Sequence, residues 1–240
     1  MLFTRPHHQR IAKVLESLDA DLLKQHHCLF ARGTAIALGY GEYRESVDMD
    51  FLVSDLASYR YLRNLVREQG LQALMKNTDA GQFQRSDIRS DQYGIRSKVF
   101  VEGKPIKFEI VLEGRIALAK PGKKDRILGV ASLTKLDMAT SKLLANSDRG
   151  LDRGMHCRDV IDLAMLSLSK SEFTAATTKA EAAYGEEILK DLAKVIGILG
   201  EANGLLERCM KAMGVSVPRA LLWQNISKVG SFMADGISNE

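Results

Sequence analysis

Apolar residues recur along this chain with two different periods, and the change of period divides it. Between His7 and His26, residues Ile11, Val14, Leu15, Leu18, Leu22 and Leu23 fall on one helical stripe with charges opposite, which predicts a single opening helix. A short apolar run from Cys28 to Ala31 then meets the small-residue turn Gly33-Thr34 and an alanine- and leucine-rich segment, the order of strand, tight turn and helix N-terminus. Val47 to Val53 alternates and is rich in β-formers, so it reads as a strand. Asp55 is placed to cap a helix that runs through Tyr59, Leu62, Leu65 and Val66 and stops at Gly70. Leu71 to Met75 is expected as a short strand and Asn77 to Gly81 as a turn. Tyr93 to Val101 and Ile106 to Leu112 flank Glu102-Gly103-Lys104-Pro105, the pattern of a β-hairpin. The basic, Pro- and Gly-punctuated stretch Lys120 to Gly129 marks the expected domain boundary, and beyond it the helical period takes over. Helices are expected after a cap at Ser132 or Thr134, over Met155 to Leu168, Glu172 to Tyr184, Glu186 to Leu206 and Pro218 to Met233. The fold class is therefore α+β, a sheet-bearing domain over 1–125 followed by a mostly helical one over 126–240.

Within that pattern two positions carry the chemistry. Period-2 geometry points Asp48 and Asp50 to the same strand face, a few Å apart. Two bare carboxylates so close repel, and one takes up a proton unless a cation lies between them. An all-oxygen pair suits Mg²⁺, which takes one or two carboxylates together with substrate phosphates. The turn at Gly33 and Thr34 leaves backbone N–H groups free to hold an anion, with the threonine hydroxyl as an added donor. On the second arm of the hairpin Ile106, Phe108, Ile110 and Leu112 share one face, leaving Lys107, Glu109 and Val111 on the other, so Glu109 is a third candidate acid and Glu113 a weaker one. In the helical half, Lys142, Arg149, Asp159 and Asp162 are the charged residues of interest, and Asp159 and Asp162 share a helix face by their spacing.

Composition narrows the field. A hydrophobic fraction of 45% with 27% charged residues is that of an ordinary soluble globular chain, and no apolar run has the length of a membrane span. The start, MLFTRPHHQR, has no signal-peptide core, which predicts a cytoplasmic location. Three cysteines without a C-x-x-C pair predict reduced thiols, and neither they nor the histidines have zinc-site spacing. Gly39-x-Gly41 lacks the third glycine and the setting of a dinucleotide fingerprint. Residues 1–150 hold 24 Lys and Arg against 18 Asp and Glu, whereas residues 151–240 hold 10 against 12, so the basic excess lies with the candidate acids. That asymmetry suits a polyanionic substrate.

The order Gly-Thr, helix, Arg44-x-Ser46-x-Asp48-x-Asp50 resembles the signature of the polymerase-β-type nucleotidyltransferase superfamily. More narrowly the chain resembles its AbiEii/AbiGii toxin-like branch, with Arg32 standing where that branch often has the first glycine of its loop. Lys142, Arg149 and Arg158-Asp159-Val160-Ile161-Asp162-Leu163 match the branch's lysine helix, arginine and closing motif. The resemblance implies a small mixed-sheet nucleotidyltransferase domain and transfer of an NMP from an NTP to an acceptor hydroxyl with release of pyrophosphate. It implies Asp48, Asp50 and Glu109 as catalytic metal ligands for Mg²⁺ or Mn²⁺ and Asp159 as a further active-site acid. Gly33, Thr34, Ser46, Lys142 and Arg149 are implied as substrate- and phosphate-binding residues. It also implies an RNA acceptor, in particular a tRNA 3′ end, and a cognate antitoxin, with no membrane partner. A small-molecule nucleotidyltransferase of the antibiotic-modifying kind and a non-catalytic NTP-binding module are the alternative readings.

Overall fold

The structure, a computed structural model, describes residues 3–76, 83–152, 157–201 and 204–234. The chain forms two compact units, one of Met1–Glu42 and Ser46–Thr134, the other of Tyr43–Glu45 and Lys135–Glu240. The mixed α/β architecture expected from the change of hydrophobic period is the one observed.

The first unit begins with helices α1 (Pro6–Ser17) and α2 (Ala20–Gln25), continues through β1 (Leu29–Ala31), α3 (Arg32–Gly39), β2 (Asp48–Val53) and α4 (Leu56–Gln69), and reaches the short strands β3 (Gln84–Arg85) and β4 (Arg89–Ser90). The hairpin β5 (Gly94–Val101) and β6 (Lys104–Leu112) follows, then the small pair β7 (Arg126–Ile127) and β8 (Val130–Ala131). The main sheet runs β1-β2-β6-β5-β3 with β4 also on β5. Its one parallel pairing, β2 with β6, joins strands far apart in sequence, and it brings the expected aspartate strand beside the expected glutamate strand.

Alternation decides which face of this sheet is core. Phe30, Phe51 and Phe108 come from three successive strands and stack with ring centroids 5.3 Å apart at each step. Met49, Ile95, Val99, Ile106 and Ile110 fill the rest of that face and are all fully buried. Each aromatic pair adds about 0.5–1.5 kcal/mol beyond its buried area, which fixes the register strongly. The opposite face therefore receives Asp48, Asp50, Lys107 and Glu109 as a matter of geometry.

Three expectations are corrected. The opening helix is two helices, because Leu18 turns extended and the Asp19 side chain accepts the Leu22 N–H as the cap of a new start. The stripe continues across the break, so hydrophobic period alone does not reveal it. Leu71–Leu74 is a 3₁₀ turn rather than a strand, with Lys76 N–H donating to Ser17 O to hold its exit. The stretch Glu186 to Leu206 is α8 and α9 below, divided before Gly204, whose φ of 68° interrupts the helix. The expected turn at 77–81, the start of the expected helix at 155 and His156 lie outside the described residues.

The second unit is helical: α5 (Lys135–Arg149), α6 (Arg158–Met165), α7 (Lys170–Tyr184), α8 (Glu187–Gly200), α9 (Leu205–Ala212) and α10 (Arg219–Ala234). α5 packs against α6, α7 and α8, and α10 against the same three. Ser169 and Glu172 form a reciprocal capping box that starts α7. The residues 126–134 that follow the basic connection carry β7 and β8 and group with the first unit. No helix among the described residues is long and apolar enough to cross a membrane.

Candidate active site

The parallel register of β2 on β6 sets Asp48 opposite Lys107 and Asp50 opposite Glu109, and β5 sets Arg96 on the far side of Glu109. Asp50 and Glu109 are 7% and 6% exposed, and Asp48, at the strand's start, is half-buried. All three acids share the face turned away from the phenylalanines. Burial lifts the Asp50 carboxyl above its ordinary pKa, repulsion from Asp48 and Glu109 adds to the lift, and Arg32 and Lys107 oppose it.

Cations meet this charge from two sides. β1 ends with Ala31 opposite Asp50, so the next residue, Arg32, starts α3 directly above the acids. Its Nη1 is 3.2 Å from Asp50 Oδ1 and 3.7 Å from Glu109 Oε2. Lys107 Nζ lies 3.0 Å and Arg96 Nε 3.5 Å from Glu109 Oε1. The three acids are all oxygen donors on one face, which is the donor chemistry of a hard divalent ion. Among the described residues, no three His, Cys, Asp or Glu side chains converge as a closed ion site, and the guanidinium and ammonium groups carry the counter-charge instead.

The predicted phosphate loop is tied to the aspartate strand. Thr34 Oγ1 donates to Asp48 O at 2.5 Å, so the proton in its 2.7 Å bond with Ser46 Oγ comes from the serine. Both hydroxyl protons are thereby used within the protein. The first N–H groups of α3 have no side-chain cap and are the free donors at this turn.

Two histidines missed by motif reasoning hold the approach to β2. Ser46 N–H donates to His8 Nε2 at 3.0 Å, so the ring proton sits on Nδ1 and is directed at Glu42 Oε1, 2.8 Å away. His7 Nε2 bonds Val47 O at 2.9 Å. The adjacent pair at the start of a helix was visible in the sequence, but nothing there named a loop some forty residues on as its partner.

Beside the sheet lies a groove of about 470 Å³ lined by Leu56, Tyr59, Arg60, Arg63, Gln92, Tyr93 and Leu112. Tyr93 is 64% exposed there. Arg96 links the groove to the acids, since its Nη1 pairs with Asp91 at 3.0 Å while Tyr59 OH donates to Asp91 O at 2.8 Å.

Within the helical unit, Lys142 Nζ lies 2.8 Å from Asp159 Oδ1 and 2.5 Å from Asp162 Oδ2, and Arg149 clasps Asp159 at 2.9 and 3.1 Å. Arg44 Nε and Nη2 grip Asp162 at 2.6 and 2.9 Å, and Tyr43 OH donates to it at 2.5 Å. Burial by itself would raise both carboxyls. Lys142 together with Arg149 outweighs it at Asp159, Lys142 together with Arg44 at Asp162, and both stand below the ordinary range. Asp159 and Asp162 therefore stay ionised as the centre of one buried charge network, which joins the expected Lys142, Arg149 and Asp159 and adds Tyr43, Arg44 and Asp162. Helical spacing could have suggested Asp162; only the fold supplies Arg44.

A sequence profile of the family described as nucleotidyl transferase AbiEii toxin, type IV TA system, matches residues 13–221. Among solved structures, the chain is similar to a candidate nucleotidyltransferase from H. pylori at 17% identity and a TM-score of 0.48, over 94% of this chain and 91% of that one. It is also similar to JHP933 from Helicobacter pylori at 18% identity and a TM-score of 0.49, over 97% and 94%. No curated protein matches it. With its profile match spanning most of its length, the chain belongs to the AbiEii nucleotidyl transferase toxin family of type IV toxin–antitoxin systems.

Proposed function

We propose that this nucleotidyltransferase moves an NMP from an NTP to the 3′-terminal hydroxyl of an RNA, tRNA in particular, and that the transfer is its toxic act. The observation that carries the reading is the pairing of Asp50 with Glu109 across adjacent strands, with Asp48 one pleat away on the same face.

Asp48, Asp50 and Glu109 would hold Mg²⁺, or Mn²⁺ in its place. Bound there, such an ion supplies positive charge at the α-phosphate and lowers the pKa of the acceptor hydroxyl. The free N–H groups at Gly33 and Thr34 receive the triphosphate, with Ser46 beside them holding the loop to β2. The acceptor oxygen forms a bond to the α-phosphorus as the bond from that phosphorus to the pyrophosphate oxygen breaks. The hydroxyl proton passes to the Glu109 side of the acid set and then to solvent. Lys142 and Arg149 are the cations of the helical unit assigned to phosphate charge, with Asp159 fixing their orientation. The groove beside the acids suits a single strand, because Arg60 and Arg63 offer phosphate contacts and the exposed Tyr93 ring a stacking surface. A cognate antitoxin is the expected partner from the family.

Purified protein incubated with labelled NTPs, Mg²⁺ and total tRNA is expected to transfer label to the 3′ end, and Asp48→Ala is expected to lose about three orders of magnitude of that rate, the scale of a lost charge-stabilising group. A wild type indistinguishable from Asp48→Ala would refute the reading. Transfer to an aminoglycoside panel but not to RNA would move it to small molecules.

A further inference from the structure

Arg32 stands where the backbone penalises every residue but glycine. Its φ is +58°, in the left-handed region, at the first position of α3. A non-glycine residue there carries about 1–2 kcal/mol of conformational strain that glycine would not. Such an outlier points to its side chain as the reason for its presence. The side chain does one thing in this structure: it lies over Asp50 and Glu109, 3.2 and 3.7 Å from their oxygens.

Three acids on this face, Asp48, Asp50 and Glu109, are matched by three cations, Arg32, Lys107 and Arg96. A set already neutral attracts a divalent ion weakly, so one cation has to leave for the ion to bind well. Arg32 is the one able to leave toward something useful. Its side chain is 39% exposed, and it springs from the same first turn of α3 whose free N–H groups face an anion. A guanidinium matches phosphate oxygens in a two-point fork as well as it matches carboxylates.

We propose that Arg32 is a resident counter-cation that competes with a divalent metal ion for Asp50 and Glu109 and, once displaced, turns to the phosphates of the nucleotide, coupling the two binding events. The inference rests on the nucleotidyl-transfer reading of the acids. It makes the departure from glycine at this position a device rather than a defect. Ion binding frees the guanidinium for nucleotide, and nucleotide in turn draws it off the acids, with equal factors in both directions by linkage.

The test is Mn²⁺ binding to the full chain, read by the electron paramagnetic resonance of free Mn²⁺, for the wild type, Arg32→Met, Arg32→Gly, Arg32→Lys and Asp50→Asn. Thermal melts serve as the check of folding, and glycine is the variant best suited to the left-handed backbone. Without nucleotide, Arg32→Met and Arg32→Gly are expected to bind Mn²⁺ about ten-fold tighter than the wild type, within the usual span of coupling between sites. Arg32→Lys is expected to stay within about three-fold of the wild type because it keeps the charge. In saturating Mn²⁺ an α,β-methylene NTP analogue is expected to bind the Met and Gly variants about ten-fold more weakly. Mn²⁺ binding that depends on Asp50 but is unchanged or weaker in both Arg32 variants overturns the inference and leaves the nucleotidyl-transfer reading standing. So does an unchanged analogue affinity. Mn²⁺ binding indifferent to Asp50→Asn, or absent from every protein, overturns both.

Discussion

His8 has no exposed surface, yet it controls where the aspartate strand begins. Burial holds its pKa below the ordinary 6.5, against the pull of Glu42, so the folded ring is neutral and accepts from Ser46 N–H. The unfolded chain takes a proton there near 6.5, whereas the folded chain resists until a lower pH. Stability from His8 is thus complete above about pH 6.5 and is lost as pH falls toward the folded value. The melting temperature should drop between pH 7 and pH 5, and His8→Gln should flatten that part of the profile; parallel profiles would refute the role. The strand face shared by Asp48, Asp50 and Glu109 was legible in the sequence because alternation is local. Their counter-ions were not, since His8 and Ser46 lie 38 residues apart and Arg44 and Asp162 lie 118 apart, separations about which periodicity says nothing.

At the scale of elements, the hairpin of β5 and β6 was readable to within a residue or two. Its turn is tighter than the four residues the pattern suggested. Val101 pairs directly with Lys104, leaving Glu102 and Gly103 with φ of 53° and 72° as a two-residue loop of the type favouring Asn-Gly. Pro105 falls inside β6 as a result. Glu102 offsets its strained backbone with ion pairs to Arg10 and Lys13 of α1, and those pairs are exposed and worth about 0–1 kcal/mol. Glu102→Asn should therefore stabilise the protein by about 0.5 kcal/mol in urea unfolding. The gain should widen in high salt, where the lost pairs are screened in the wild type as well. A destabilised variant would mean that the contact with α1 outweighs the turn. The break between α1 and α2 escaped the sequence for the opposite reason, because Leu22 and Leu23 keep to the same stripe on both sides of the cap at Asp19.

On the scale of the whole molecule, the basic excess of the first 150 residues becomes meaningful once the fold is known. Arg60, Arg63 and Arg67 recur along α4, and the first two line the groove with Tyr93. If RNA lies there, Arg60→Ala should weaken binding across RNA sequences and lower the slope of log K against log salt by about 0.7, one single-strand phosphate contact. Filter binding from 50 to 200 mM salt measures it, and an unchanged slope would put the RNA elsewhere. Composition indicated that a polyanion suited this half, but only the packing of α4 beside Tyr93 marked a place for it.

The passage of Tyr43–Glu45 into the helical unit, between α3 and β2 of the other, has a consequence for inheritance. A gene cut after codon 134 would separate Arg44 and Tyr43 from Asp162, stranding a carboxylate in one fragment and a guanidinium in the other. Neither half can be shuffled, swapped or expressed as a self-sufficient module. Lineages that recombine these toxins are constrained to exchange the catalytic sheet and the helices as a single cassette.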